Sequence, residues 1–130
     1  MSSVNKNSLS EHFDDGVVFY MEIDDFEENG NFKHPMYNRY MLIMIGGSYC
    51  GHCRIASPEF NKFAKNNKDI ICGVIQVDGS DGEKQLGKML GKFHAIKGIP
   101  TFLLYGPNGQ FIKIHEGDRT EEAFKEFCQF

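Results

Sequence analysis

The sequence predicts an α/β fold: a central mixed β-sheet covered by helices on both faces. Three observations carry that expectation. Apolar runs of strand length alternate with helical periodicities through residues 40–94, a turn-linked pair of strands follows a proline at position 100, and an amphipathic segment closes the chain. A chain of 130 residues, 41% hydrophobic and 25% charged, has room for one such core. One domain over residues 13–130 is expected behind a flexible N-terminal arm, residues 1–12, whose Ser- and Asn-rich composition offers little to bury.

Residues 17–20 form a short β-branched and aromatic run, which reads as a buried strand. Asp24 is placed to cap a following helix, which Gly30 and Pro35 should keep short or split in two. Residues 40–45 are continuously apolar up to Gly46 and Gly47, the pattern of a strand covered on both faces. From Cys50 onward, Ile55, Phe60, Phe63 and Ala64 mark an amphipathic helix; Pro58 within it removes a backbone donor and predicts a kink. Residues 69–77 supply the next strand, and Leu86, Met89, Leu90 and Phe93 recur at helical spacing over residues 83–94. Residues 101–105 and 110–115 flank Gly106, Pro107, Asn108 and Gly109, a turn composition that predicts an antiparallel hairpin. A last helix runs from Thr120, whose hydroxyl can cap it, to Cys128, with Ala123, Phe124 and Phe127 facing inward.

The formal charge of -4 gives no electrostatic reason to expect nucleic acid or an acidic membrane surface as a partner. No stretch approaches the roughly 20 apolar residues that cross a bilayer. Residues 1–10 have neither the basic start nor the apolar middle of a secretion signal, and the chain lacks an ER-retention ending. The expectation is an intracellular, cytoplasmic protein. Four cysteines in such a chain point to chemistry before they point to a disulfide scaffold.

Cys50-Gly51-His52-Cys53 stands between an apolar strand and a helix, the setting in which a Cys-x-x-Cys pair reads as a redox motif. Two intervening residues let the first helical turn bring the sulfurs within bonding distance. Cys50 at the helix N-terminus meets unpaired backbone N–H groups and the positive end of the helix dipole, both of which favour thiolate over thiol. A protonated His52 adds a second stabilising charge, and Gly51 leaves the approach open. The thiolate is the species that attacks a disulfide.

Tyr49-Cys50-Gly51-His52-Cys53-Arg54, with Pro58 five residues after the second cysteine, resembles the active-site helix of the thioredoxin superfamily, and its Gly-His interior is the protein disulfide isomerase version. The similarity continues through Lys97-Gly98-Ile99-Pro100-Thr101-Phe102, and through Asn108, Gly109 and Gly117 in the final hairpin, so that it covers about residues 17–130. The resemblance implies a thioredoxin fold, a cis-proline at Pro100, and a backbone at Ile99 that pairs with an extended substrate peptide as one strand adds to another. Tyr49, Gly51, Ile99 and Pro100 are thereby the expected substrate-binding residues. By the same resemblance Cys50 is the nucleophile, Cys53 the resolving thiol and His52 their catalytic neighbour.

Three positions depart from the family pattern. Tyr49 stands where a tryptophan usually precedes the first cysteine, and the chain has no tryptophan. The family's buried carboxylate corresponds to Met44, and the lysine that accompanies it to Val74. Replacing a buried charged pair with two hydrophobes removes a desolvation cost and need not destabilise the fold. It does remove the group that helps deprotonate the second cysteine.

A zinc site at Cys50 and Cys53 would need two more ligands, and Cys72 and Cys128 form no second closely spaced pair. Both read better as small buried hydrophobes. His12, His34, His94 and His115 lack metal-ligand spacing, so no metal site is assigned. The function expected is reversible dithiol-disulfide exchange on protein or peptide disulfides, in the reductase direction. It needs no cofactor beyond the Cys50–Cys53 disulfide, and thioredoxin reductase or glutathione are the candidate electron donors. The competing expectation is a thioredoxin-fold binding or structural module that turns over weakly because Met44 replaces the acid.

Overall fold

The structure is a computed structural model that describes residues 8–129. In chain order its elements are β1 (Phe19–Tyr20), β2 (Tyr40–Gly46), α1 (Gly51–Asn66), β3 (Ile70–Gln76), α2 (Asp81–His94), β4 (Thr101–Tyr105), β5 (Phe111–Ile114) and α3 (Glu121–Phe127). Two single 3-10 turns, Leu9–His12 and Ile23–Asp25, precede β2. The sheet has the order β1-β3-β2-β4-β5, with β1, β3 and β2 parallel and β4 and β5 antiparallel to their neighbours.

The apolar run of β2 makes it the central strand, since a strand covered on both faces needs side chains that are apolar at every position. Leu42 and Met44 point to the face covered by α1 and α3, where they pack with Phe60, Phe63, Phe102 and Phe124. Met41, Ile43 and Ile45 point to the opposite face and pack with Leu86 and Leu90 of α2 and with Tyr105. All five are at most 2% exposed, and burying each side chain contributes roughly 1.5–3 kcal/mol. The predicted mixed sheet with helices on both faces is therefore the observed one.

Local chemistry explains the ends of the helices. Ser80 Oγ accepts from the Glu83 amide while Glu83 Oε1 accepts from the Ser80 amide, a reciprocal cap on α2. Thr120 Oγ1 accepts from the Ala123 amide, as its position before α3 predicts. The hairpin turn between β4 and β5 closes with Gly109 at φ 81°, and a Cβ there would lie 2.5 Å from the Phe32 carbonyl oxygen. Both the backbone angle and the close approach require glycine.

Several expectations need correction. Of the N-terminal arm, residues 1–7 lie outside the described residues, but Ser8 to His12 pack against the domain. Leu9 is fully buried in the α1 face of the core, and its amide donates to Gln76 Oε1 at 3.0 Å. The run at 17–20 is a two-residue edge strand with Phe19 and Tyr20 exposed, because β1 has a neighbour on one side only. Glu22, and not Asp24, caps the turn that follows, accepting from the Asp24 amide. No helix forms over residues 26–39; Tyr37 and Asn38 adopt positive φ, and Phe26 bridges to Phe32. Ile55 and Phe93 match the helical periodicity, yet they are 75% and 51% exposed.

Candidate functional site

The site stands at the carboxyl end of β2, where the chain leaves the sheet through Gly46 and Gly47 and enters α1. Cys50 is the N-cap of α1. Its backbone is extended (φ -93°, ψ 110°), and its Sγ accepts from the Cys53 amide at 3.1 Å. The first turn of a helix leaves its N–H groups without intrahelical partners, so a sulfur in the cap position receives one of them and the positive end of the dipole together. The Cys50 and Cys53 sulfurs are bonded, with the Cα atoms 5.2 Å apart.

The two sulfurs have different surroundings. Cys50 is half-buried at the surface, whereas Cys53 is fully buried. A Cβ built on Gly46 would fall 3.2 Å from Cys53 Sγ, 3.2 Å from the Met44 methyl and 3.0 Å from Leu9 Cδ1, so these three groups converge there. Met44 is paired in register with Val74 on β3 and with Phe102 on β4, all of them buried. The positions that would hold a buried acid and its lysine are adjacent and wholly apolar. A polar side chain beside Met44 is Ser57, fully buried, whose hydroxyl donates to the Cys53 carbonyl at 2.7 Å and lies 3.9 Å from Met44 Sδ. That bond back to the preceding turn satisfies the hydroxyl beside Pro58, within a helix that continues through the proline.

The other predicted residues surround Cys50. The Ile99–Pro100 peptide bond is cis, and the Ile99 carbonyl oxygen lies 3.7 Å from Cys50 Sγ. Among the described residues, no backbone hydrogen bond engages Ile99, so its N–H is open to an added strand while its C=O lies against the Cys50 sulfur. The Tyr49 ring is 72% exposed and lies over Gly47, where a Cβ would come 2.8 Å from the ring and 3.2 Å from Ile99 Cδ1. Glycine at 47 is what lets the ring lie against the backbone. Gly51 has open space around it. His52 is exposed and has no hydrogen-bond partner among the described residues, so it is brought near the pair by sequence adjacency alone. Arg54 forms an ion pair with Glu11, which ties the N-terminal turn to α1.

Sequence reasoning missed Leu9, Gly46, Gly47 and Ser57. The glycine doublet before the motif was visible, but only as the end of a strand. Ser48 was missed as well: its amide donates to Asp78 Oδ1 at 3.0 Å and its hydroxyl to Oδ2, fastening the loop before Cys50 to the end of β3.

Cys72 and Cys128 lie apart from this site, in the same core cluster as α1 and α3. Burial pushes the Cys72 thiol well above its ordinary range and the Cys128 thiol up to about 12. Among the described residues, no group of three or more His, Cys, Asp or Glu side chains gathers to hold a metal, and no helix is long and apolar enough to cross a membrane.

A mixed five-stranded sheet with a cysteine pair at the start of a helix, opposite a cis-proline, defines a thioredoxin fold. The Thioredoxin family model matches residues 24–129, and the chain belongs to that family of thiol-disulfide oxidoreductases. It is 35% identical over 111 residues to the putative thioredoxin-like protein 453L of Invertebrate iridescent virus 6, covering 74% of this chain and 80% of that one. It is 32% identical over 108 residues to protein disulfide-isomerase A6 of Mesocricetus auratus, covering 80% of this chain but 23% of that protein. The chain thus spans about a quarter of that isomerase's length. Spinach chloroplast thioredoxin f superimposes with a TM-score of 0.62 at 21% identity, over 86% of this chain and 90% of that one. The J-Trx1 fragment of ERdj5 superimposes with a TM-score of 0.67 at 18% identity, over 92% and 53%.

Proposed function

We propose that this chain catalyses reversible dithiol-disulfide exchange on protein or peptide disulfides. The observation that carries the reading is Cys50 Sγ at the N-cap of α1, half-exposed and accepting from the Cys53 amide at 3.1 Å. In the reductive half-reaction the Cys50 thiolate attacks a substrate sulfur and forms a mixed disulfide, and the first substrate thiolate leaves and takes a proton. Cys53 then loses its proton, attacks Cys50 Sγ and releases the second substrate thiol. The protein dithiol becomes a disulfide, and the substrate disulfide becomes two thiols.

The surroundings divide the labour between the sulfurs. Cys50 faces solvent and a helix end that stabilises negative charge, so the first step is fast. Cys53 sits among Leu9, Met44 and the aromatic core, where a forming thiolate is poorly solvated and no carboxylate takes its proton. Resolution is the slow step, with water or His52 as the proton acceptor. Insulin-disulfide reduction tests the whole reading: the wild type exceeds background, and Cys50→Ser falls to it. Equal background rates for both proteins would instead support a binding module, the reading that the apolar Met44–Val74 pair favours.

The direction proposed is reductive and cytoplasmic, with thioredoxin reductase or glutathione as the electron donor. A reduction potential below about -220 mV fits that assignment, and a value near about -180 mV reverses it.

A further inference from the structure

Next to the disulfide, on the α2 side, lies a cleft of about 350 Å³ whose lining includes Tyr49, Val77, Gly87, Gly91 and Ile99. The helix has no conformational need for either glycine: neither adopts a positive φ, and glycine in a helix interior is unfavourable relative to alanine. A Cβ at Gly91 would meet nothing within 4 Å. A Cβ at Gly87 would come 3.3 Å from Val77 Cγ1, so that glycine also lets α2 approach the sheet closely, and the open space lies at Gly91.

The charge on the α2 side of the cleft is positive. The chain is acidic overall, with a net charge of -4, yet residues 84–100 contain no Asp or Glu and carry Lys84, Lys88, Lys92 and Lys97. All four lysines are exposed, and none enters the ion pairs of the described residues, which engage Lys62, Lys65 and Arg54 instead. Lys97 lines the cleft itself. Lys84 and Lys88 precede Gly87 and Gly91 by three residues and so share their face of α2. Asp78, which follows Val77, keeps its negative charge while accepting from Ser48, so it stands on the side of the cleft away from the lysines of α2.

We propose that this cleft recognises an acidic peptide segment of the disulfide substrate: an apolar side chain beside the substrate cysteine enters over Gly87 and Gly91, and flanking carboxylates meet the lysines. The inference rests on the exchange reading above and names the substrate class of the same site. Cleft and disulfide are continuous through Tyr49 and Ile99, so a strand paired at Ile99 passes over the cleft. Lys97 in its lining and the unpaired lysines along α2 attract an acidic partner, repel a basic one, and act mainly on the rate of encounter.

Two synthetic cystine peptides test this, identical in their central phenylalanine and differing only in Glu or Lys at the flanking positions. The reduced protein is the sole reductant, and each single-turnover rate is divided by the rate on neutral hydroxyethyl disulfide for the same variant. The acidic peptide should react about tenfold faster than the basic one at low ionic strength, and the gap should close in 0.5 M salt, as about 10 Å of screening shrinks further. Lys84→Glu with Lys88→Glu should reduce or invert the preference. Gly91→Leu, which improves helix propensity and projects into the open cleft, should slow both peptides together. Equal rates on the two peptides, a preference that survives charge reversal, or peptide rates untouched by Gly91→Leu would each overturn the inference while leaving the exchange reading intact. No reduction of hydroxyethyl disulfide by the wild type would overturn both.

Discussion

Met44 and Val74 face each other in register across β2 and β3, both fully buried, beneath Cys53. In the thioredoxin pattern these positions carry an acid and a lysine, so their apolar replacement moves the expected difficulty of the reaction from attack by Cys50 to resolution by Cys53. Placing a base there should therefore speed one step and not the other. Met44→Asp is expected to hasten decay of the mixed disulfide by about tenfold or more, the range in which a positioned proton acceptor acts. The same change destabilises the fold by roughly 3 kcal/mol or more, since it removes a fully buried methionine and Val74 offers the carboxyl no partner. Stopped-flow single turnovers separate the steps, and an unchanged resolution rate in folded Met44→Asp would remove the proton-transfer explanation.

The N-terminal turn is part of the core. Leu9→Ala should cost about 2–5 kcal/mol, as for other fully buried leucines, and urea denaturation reads the loss directly. A change below about 0.5 kcal/mol would restore residues 8–12 to the status of a loose arm.

Thiol reactivity should divide sharply between the cysteines. With the disulfide reduced, native-state alkylation by iodoacetamide at pH 7 should label Cys50 first and leave Cys72 and Cys128 unlabelled. Burial holds the Cys128 thiol protonated until about pH 12 and that of Cys72 beyond it. Peptide mapping by mass spectrometry checks the order; early labelling of Cys72 would contradict the burial assigned to it.

Asp78 links the loop before Cys50 to β3, and its ionisation should appear in acid stability. Burial raises its pKa, but hydrogen bonds from the Ser48 hydroxyl and amide, from its own amide and from the Gln76 side chain together outweigh burial and lower it below the usual 3.8. A group whose folded pKa is depressed contributes stability above the unfolded value, and that contribution disappears as pH falls through the folded one. Ser48→Ala should therefore flatten the loss of stability below about pH 4 and raise the Asp78 pKa in an NMR titration. A pKa that does not move would show that Ser48 does not hold the carboxylate.

Sequence patterns made the frame of this molecule readable because its strongest elements are locally consistent. An apolar run of strand length ended by a glycine pair fits a strand covered on both faces better than a buried helix, and the composition of Gly106 to Gly109 favours a turn. Cys50 and Cys53 were legible because their chemistry depends on spacing within one helical turn. The rest depended on distance through space. Leu9 is a single apolar residue among polar neighbours, so no periodicity announces that it fills the space beside Cys53. Ile55 and Phe93 obey the helical period but stay largely exposed, Phe93 with one side of its ring against Gly30. Glu22 displaced Asp24 as a cap because its carboxylate reaches the Asp24 amide while Asp25 reaches back to the Glu22 amide. Ser57 beside Met44 became visible only once α1 was laid on the sheet.

The division of roles between Cys50 and Cys53 is the centre of this account, and mass-spectrometric trapping addresses it most directly. Cys53→Ser, reduced and mixed with a cystine peptide, should accumulate one peptide adduct per chain, mapped to Cys50, while Cys50→Ser accumulates none. An adduct on Cys53 in Cys50→Ser at a comparable rate, or no adduct on Cys50 in Cys53→Ser, would contradict it.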